Sequence, residues 1–181
     1  MDFKDTQAEG KKHGVGNSDF MRLEDGENKV RVLCFPEAIA THFPKGQKPV
    51  TCTMDDHTCP LCKEKVQKSV KVMLYVIDRA DETIKVGEFP WSVFTGLGDL
   101  SKSSEFGYKG LPPYDVIITK KGSGMKTEYG VLAGKNEDPI TDEQTKEFEA
   151  KKPIIQIVGE KIEKAQADAV SNFDEFVNDE A

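Results

Sequence analysis

The sequence predicts a mainly β protein, and three observations carry that expectation. Residues 28–36, 69–89 and 114–133 alternate apolar and polar side chains with the period of strands. Helical period appears in only two places, directly after Pro90 and beyond Thr141. Between the first and second strand runs, three of the four cysteines and two of the three histidines gather in a single stretch, THFPKGQKPVTCTMDDHTCPLCK.

Residues 1–27 are polar and glycine-punctuated, and are expected to form a flexible N-terminal arm. The first strand, NKVRVLCFP, puts Val30, Val32 and Cys34 on one face and Arg31, Leu33 and Phe35 on the other, and Pro36 ends it. SVKVMLYVID has Val70, Val72, Leu74 and Val76 opposite Lys71, Met73, Tyr75 and Ile77. A turn at Asp81-Glu82 returns it through TIKVGEF. Pro90 then suits the first turn of a helix in which Trp91, Phe94 and Leu97 recur at helical spacing, as expected of core residues. Residues 114–133 form a β-hairpin turning on Gly122-Ser123-Gly124. Thr141 with Gln144 predicts a capping box opening a helix to about Ala150. After Pro153, Ile154, Val158, Ile162, Ala165 and Ala169 make the stripe of a last amphipathic helix. The order is strand, insert, two strands, helix, two strands. It suits a five-stranded barrel of the OB kind, whose helix lies between its third and fourth strands. An SH3-like barrel or an open α+β sheet shares the order. The expected divisions are an arm at 1–27, the barrel at 28–136 with an insert at about 40–66, helices at 137–170 and an acidic tail at 171–181.

Charge is unevenly spread. The net value is −7, but residues 28–136 carry 16 basic against 12 acidic side chains, whereas residues 137–181 carry 5 against 13. A basic body with an acidic end suggests polyanion binding beside a polyanion-like tail. No apolar run approaches the length of a membrane span, and the N-terminus has no secretory signal pattern, so a soluble cytoplasmic protein is expected. In a reducing compartment, clustered cysteines point to metal rather than disulfides.

Cys59-Pro60-Leu61-Cys62 is a C-x-x-C knuckle, in which two intervening residues let both sulfurs face one ion. Cys52 precedes it, and one histidine completes a closed Cys3His shell, the form of a structural zinc site. His42 is favoured as that ligand over His57, which crowds the knuckle. Cys34 sits on an apolar strand face and is set aside. Catalytic zinc is not expected: the residues two after His13, His42 and His57 are Val15, Pro44 and Cys59, so the H-x-E of zinc deaminases is absent, as is H-E-x-x-H. No nucleophile triad or carboxylate pair suggests an enzyme either.

Taken together, VRVLCFP, the following histidine, C…C-P-x-C, FPWSVF, YDVIITKKGSGMKTEYGV and the acidic C-terminus resemble the single-stranded DNA-binding, helix-destabilising proteins of tailed phages. The likeness spans roughly residues 28–134. It implies an OB-fold with an inserted zinc ribbon whose ligands are His42, Cys52, Cys59 and Cys62. It also implies a role in DNA replication, recombination and repair in a bacterial host cytoplasm. One feature departs from the family's best-known members, which carry a basic N-terminal motif: Lys11-Lys12-His13 is the only basic cluster of an acidic arm. The chain also ends in Asp179-Glu180-Ala181, unlike the aromatic terminus of bacterial single-strand binders.

Sequence-neutral binding of a single strand needs cations for phosphates and aromatic faces for bases. Alternation offers Arg31 with Phe35, Lys71 with Tyr75, and Lys120, Lys121 and Lys126 around the hairpin tip, followed by Tyr129. In the tail, Phe173, Asp174, Glu175, Phe176, Asp179 and Glu180 are expected to compete with DNA and to contact replication and recombination proteins. A zinc-stapled interaction adaptor and an RNA-binding OB protein are the alternative readings.

Overall fold

A computed structural model describes residues 19–46, 48–53, 59–134 and 139–178. The arm's Lys11-Lys12-His13 cluster, His57, Asp179 and Glu180 lie outside the described residues.

The chain is mainly β. Eight strands form one mixed sheet: β1 (Phe20–Met21), β2 (Gly26–Val32), β3 (Glu37–His42), β4 (Val50–Thr51), β5 (Lys68–Asp78), β6 (Thr83–Pro90), β7 (Val116–Lys121) and β8 (Glu128–Ala133). Four helices accompany them: α1 (Pro60–Lys63), α2 (Trp91–Ser101), α3 (Asp142–Glu149) and α4 (Ile154–Asn178). The main path runs β1-β6-β5-β2-β7-β8, with β3 beside β5 and β4 beside β3. Only β1 on β6 is parallel. Among the described residues β8 pairs with β7 alone, so the sheet stays open rather than closing as the expected five-stranded barrel.

β5 is the spine. Its residues 76–78 pair with β2, residues 68–73 pair with β3, and residues 71–78 pair with β6. β2 and β3 thus run end to end along one edge of β5, joined by a bend at residues 33–36 where the Leu33 amide still donates to the Tyr75 carbonyl at 3.0 Å. The strand expected at 28–36 therefore begins and ends earlier, and β3 was not anticipated. Residues 19–27 correct the expected arm. Met21 is buried, and the Val86 amide donates to the Asp19 carbonyl. Asn28 shapes the entry to β2 by accepting from the Glu24 amide and donating to the carbonyls of Glu24 and Ile118.

Both faces of the sheet are covered. Val72, Leu74 and Val76 join Val30, Val32, Val116 and Ile118 in a core closed by Val93 and Leu97 of α2. Met73, Tyr75 and Ile77 join Leu33, Ile84 and Val86 beneath Ile154 and Val158 of α4. The α2 stripe is thus Val93 and Leu97; Trp91 and Phe94, expected in the core, are 46% and 36% exposed. α2 also lies close to β8. A Cβ on Gly96 would stand 2.6 Å from Val131 Cγ2 and 2.8 Å from its Cβ.

The Thr141–Gln144 capping box forms as expected. The last helix continues to Asn178, so residues 171–178 of the expected tail are helical. No described helix is long and apolar enough to cross a membrane.

A charged cluster locks β7 to β2. Asp115 is fully buried and accepts from Arg31 at 2.7 Å and from Arg79 at 3.1 Å, with Lys29 at 3.3 Å. Burial opposes its ionisation, but hydrogen bonds from the two guanidinium groups outweigh that and hold its pKa below the ordinary value. Its stabilising contribution is therefore complete above the ordinary aspartate range, near about pH 4, and is lost as acid titrates through the depressed native value.

Two outcomes follow for urea unfolding. Asp115→Asn should lower stability by about 3–5 kcal/mol, because buried guanidinium charge loses its counter-charge. Gly96→Ala should destabilise by about 1–3 kcal/mol through overpacking against Val131, although alanine is the better helix former by about 1 kcal/mol. A stabilised Gly96→Ala protein would mean that α2 can move off β8.

Candidate metal centre

The β3–β5 hairpin carries a small module of its own. β3 delivers His42 at its last residue. β4 lies against β3 with Thr41 opposite Thr51, and the ladder continues as the Cys52 amide donates to the Ala40 carbonyl at 2.8 Å. Cys52 is thereby placed beside His42. On the other arm, Pro60 opens the short helix α1 directly after Cys59, and the Lys63 amide donates back to the Cys59 carbonyl at 3.1 Å. One turn then carries Cys62 round to the same side. Lys65, in the left-handed region at φ 55°, reverses the chain towards β5.

The four expected ligand residues converge. His42, Cys52, Cys59 and Cys62 hold their ligand atoms within 4.8 Å of one another and can hold a metal ion. Cys52 Sγ is 3.8 Å from Cys59 Sγ and 3.6 Å from Cys62 Sγ. His42 Nε2 is 3.4 Å from both Cys59 Sγ and Cys62 Sγ. His42 Nδ1 lies 3.1 Å from the Val66 carbonyl, so Nδ1 donates there and the Nε2 lone pair faces the sulfurs. Ala40, Leu61 and Val70 pack around the cysteines.

Electrostatics favours a thiolate at Cys59. Burial raises the Cys59 thiol, yet hydrogen bonds from the Cys62 and Thr53 backbone and from the Cys52 and Cys62 thiols bring it from 9.0 down to about 6. Lys68 Nζ, 3.4 Å from Cys62 Sγ, adds positive charge beside the sulfurs. Cys34 stands apart, its sulfur accepting from the Tyr75 amide at 3.2 Å, and burial raises its thiol.

The expected DNA contacts divide. Arg31 is 6% exposed and committed to Asp115 and to the Pro113 carbonyl. Tyr75 is also 6% exposed: its ring meets Phe148 edge-on, and its hydroxyl donates to the Lys152 carbonyl at 2.9 Å. Tyr75 sits in the second core because β5 is apolar on both faces, and Arg31 is drawn inward by the buried carboxylate of Asp115. They are corrections to the expected binding face. Lys71 pairs with Glu88 at 3.1 Å. Lys120 turns inward to the Leu23 carbonyl and Asp25, and Tyr129 packs against the first core. Phe35 is exposed, as are Lys121 and Lys126 at the β7–β8 tip. That tip turns through Gly122 and Gly124 at φ 83° and 57°. Phe173, Asp174, Glu175 and Phe176 lie on the last turns of α4.

Sequence reasoning missed the exposed Trp91–Phe94 pair, whose ring centroids are 4.7 Å apart. The signal was present in the alternative stripe Val93–Leu97, which competes with Trp91–Phe94–Leu97 for the core.

Compared with protein families, curated proteins and solved structures, the chain matches none of them.

Metal analysis should find one ion per chain. Cys59→Ser and His42→Ala should each lose it and destabilise the module, whereas Cys34→Ser should retain it. Acidification should release the ion as the ligand thiolates take up protons, because only deprotonated sulfur binds metal. Retention of a full metal complement by His42→Ala would remove that residue from the shell.

Proposed function

We propose that this protein is a zinc-stapled, OB-type single-stranded DNA-binding protein that coats single strands largely without regard to sequence during replication, recombination and repair. The observation that carries the reading is where the strand path places the lysine-bearing loops. Counting β2 with β3 as one bent strand, the path β2/β3–β5–β6–α2–β7–β8 follows OB order, including the helix between the third and fourth strands. In OB proteins, the loops between strands one and two and between strands four and five bind oligonucleotides. Here the first is the metal module and the second is the tip carrying Lys121 and Lys126.

Zinc is the metal the donor set favours. Three thiolates and an imidazole suit a borderline-soft ion that imposes no geometry of its own. Bonds of ~2.3 Å to sulfur and ~2.05 Å to nitrogen give tetrahedral edges of about 3.8 Å and 3.5 Å, close to the spacings of the four side chains. All four positions of such a shell are protein ligands, which suits a structural role and leaves no open position for substrate. The zinc would fix the hairpin that carries the first loop. The acidic residues Asp174, Glu175, Asp179 and Glu180 near the end of the chain are the part of this reading that would contact replication and recombination proteins.

Titration of labelled oligo-dT tests the reading. Single strands should bind more tightly than duplex, with little base preference. Affinity should fall with salt by about 0.7 in log–log slope for each phosphate contact. Lys121→Gln with Lys126→Gln should weaken all sequences alike and reduce the slope by about 1.4. Tighter binding to RNA of the same length would favour the RNA-binding alternative, and absence of binding at low salt would leave the adaptor reading.

A further inference from the structure

We infer that Trp91 and Phe94 form a nucleobase-stacking platform, served by phosphate contacts from the lysines of the metal module. The inference rests on the nucleic-acid reading above and assigns it a contact site.

Trp91 is 46% exposed and Phe94 36%, and their rings touch at a centroid distance of 4.7 Å with a tilt of 49°. Two large aromatic rings side by side on a surface offer flat faces on which a nucleobase can stack. Their mounting is rigid. Val93 and Leu97, on the adjoining stripe of α2, are buried in the first core, and Gly96 brings the helix against Val131. A platform held this way loses little freedom when a base lands on it.

The register of β5 brings the start of α2 to the same end of that strand as the metal module. Pro90 is opposite Lys71, so the chain enters α2 at the level of Val70, whose side chain packs against the cysteine cluster. Lys68 is two residues further along β5, its ammonium 3.4 Å from Cys62 Sγ. The segment 43–68 carries Lys45, Lys48, Lys63, Lys65 and Lys68 against Asp55, Asp56 and Glu64. All five lysines are exposed. Neither Lys63 nor Lys65 is paired with an acid among the described residues. Aromatic faces at the same end of the sheet as a lysine-rich module match the two needs of single-strand binding, and the positive charge selects a polyanion over an apolar peptide. The metal module is then more than a staple: it is the phosphate-facing wall of the site.

The chain has a single tryptophan, so its fluorescence reports on the platform directly. Full-length protein is titrated with oligo-dT, and tryptophan emission is followed beside the anisotropy of the labelled strand. The expected result is quenching with the same midpoint as the anisotropy. Trp91→Leu should weaken binding about 5- to 150-fold, the range of one lost base stack, with unchanged urea unfolding. Lys63→Gln with Lys65→Gln should reduce the salt slope by about 1.4. If the strand binds while emission stays constant and Trp91→Leu keeps full affinity, the platform is wrong and the single-strand function stands. If neither DNA nor RNA strands bind at low salt, both fall together.

Discussion

Burial of β5 on both faces is the constraint on which the rest of the structure depends. From Val72 to Ile77 every residue is 6% exposed or less, the even positions in one core and the odd positions in the other. A strand with one wet face has its register set by polarity, because a slip of one residue would bury the wrong side. A strand that is apolar on both faces lacks that safeguard. Register must come from its ends. At one end, the His42–Cys52–Cys59–Cys62 cluster ties β3 and β4 to the start of β5. At the other, Asp81 accepts from the Thr83 amide and hydroxyl, and Lys85 bridges Asp78 and Asp81 at 2.7 Å. A metal ion held by this cluster would pin the register of the central strand as well as staple the module.

The same constraint decides where function can reside. With α3 and α4 lying over Tyr75 and Ile77, the broad sheet face that an open β fold offers to ligands is occupied. Among the accessible parts of the described residues are the metal module, the start of α2 and the β7–β8 tip. Lysines mark the first and last of these, and exposed aromatic rings mark the second. Charge divides in the same way, the basic side chains concentrating in residues 28–136 and the acidic ones in residues 137–181.

Much of this was legible in the chain because the responsible signals are local. The C-x-x-C spacing, the alternation of residues 69–78 and the Thr141–Gln144 pair each act within a few residues, and each led to the element observed. β3 escaped because Glu37–His42 mixes two alanines and a glutamate with its two β-branched residues; its partner on β5 holds it, not its own propensity. β1 escaped for the same reason, being two residues paired with β6. Arg31 looked solvent-facing because its counter-charge, Asp115, is 84 residues away in sequence. Trp91 and Phe94 looked internal because helical spacing alone does not say which of two adjoining stripes meets the sheet. Only the packing of Val93 and Gly96 resolves it.

The central claim is that a single strand is held by the loops and helix start at the two ends of the sheet, with the metal module as part of the surface. Amide hydrogen exchange of the full chain, with and without saturating oligo-dT, tests this directly. Slowed exchange confined to residues 43–53, 59–68, 91–95 and 121–127 is the predicted footprint. Protection centred on α3 and α4 instead, with the metal module and the β7–β8 tip exchanging at their free rates, would contradict it.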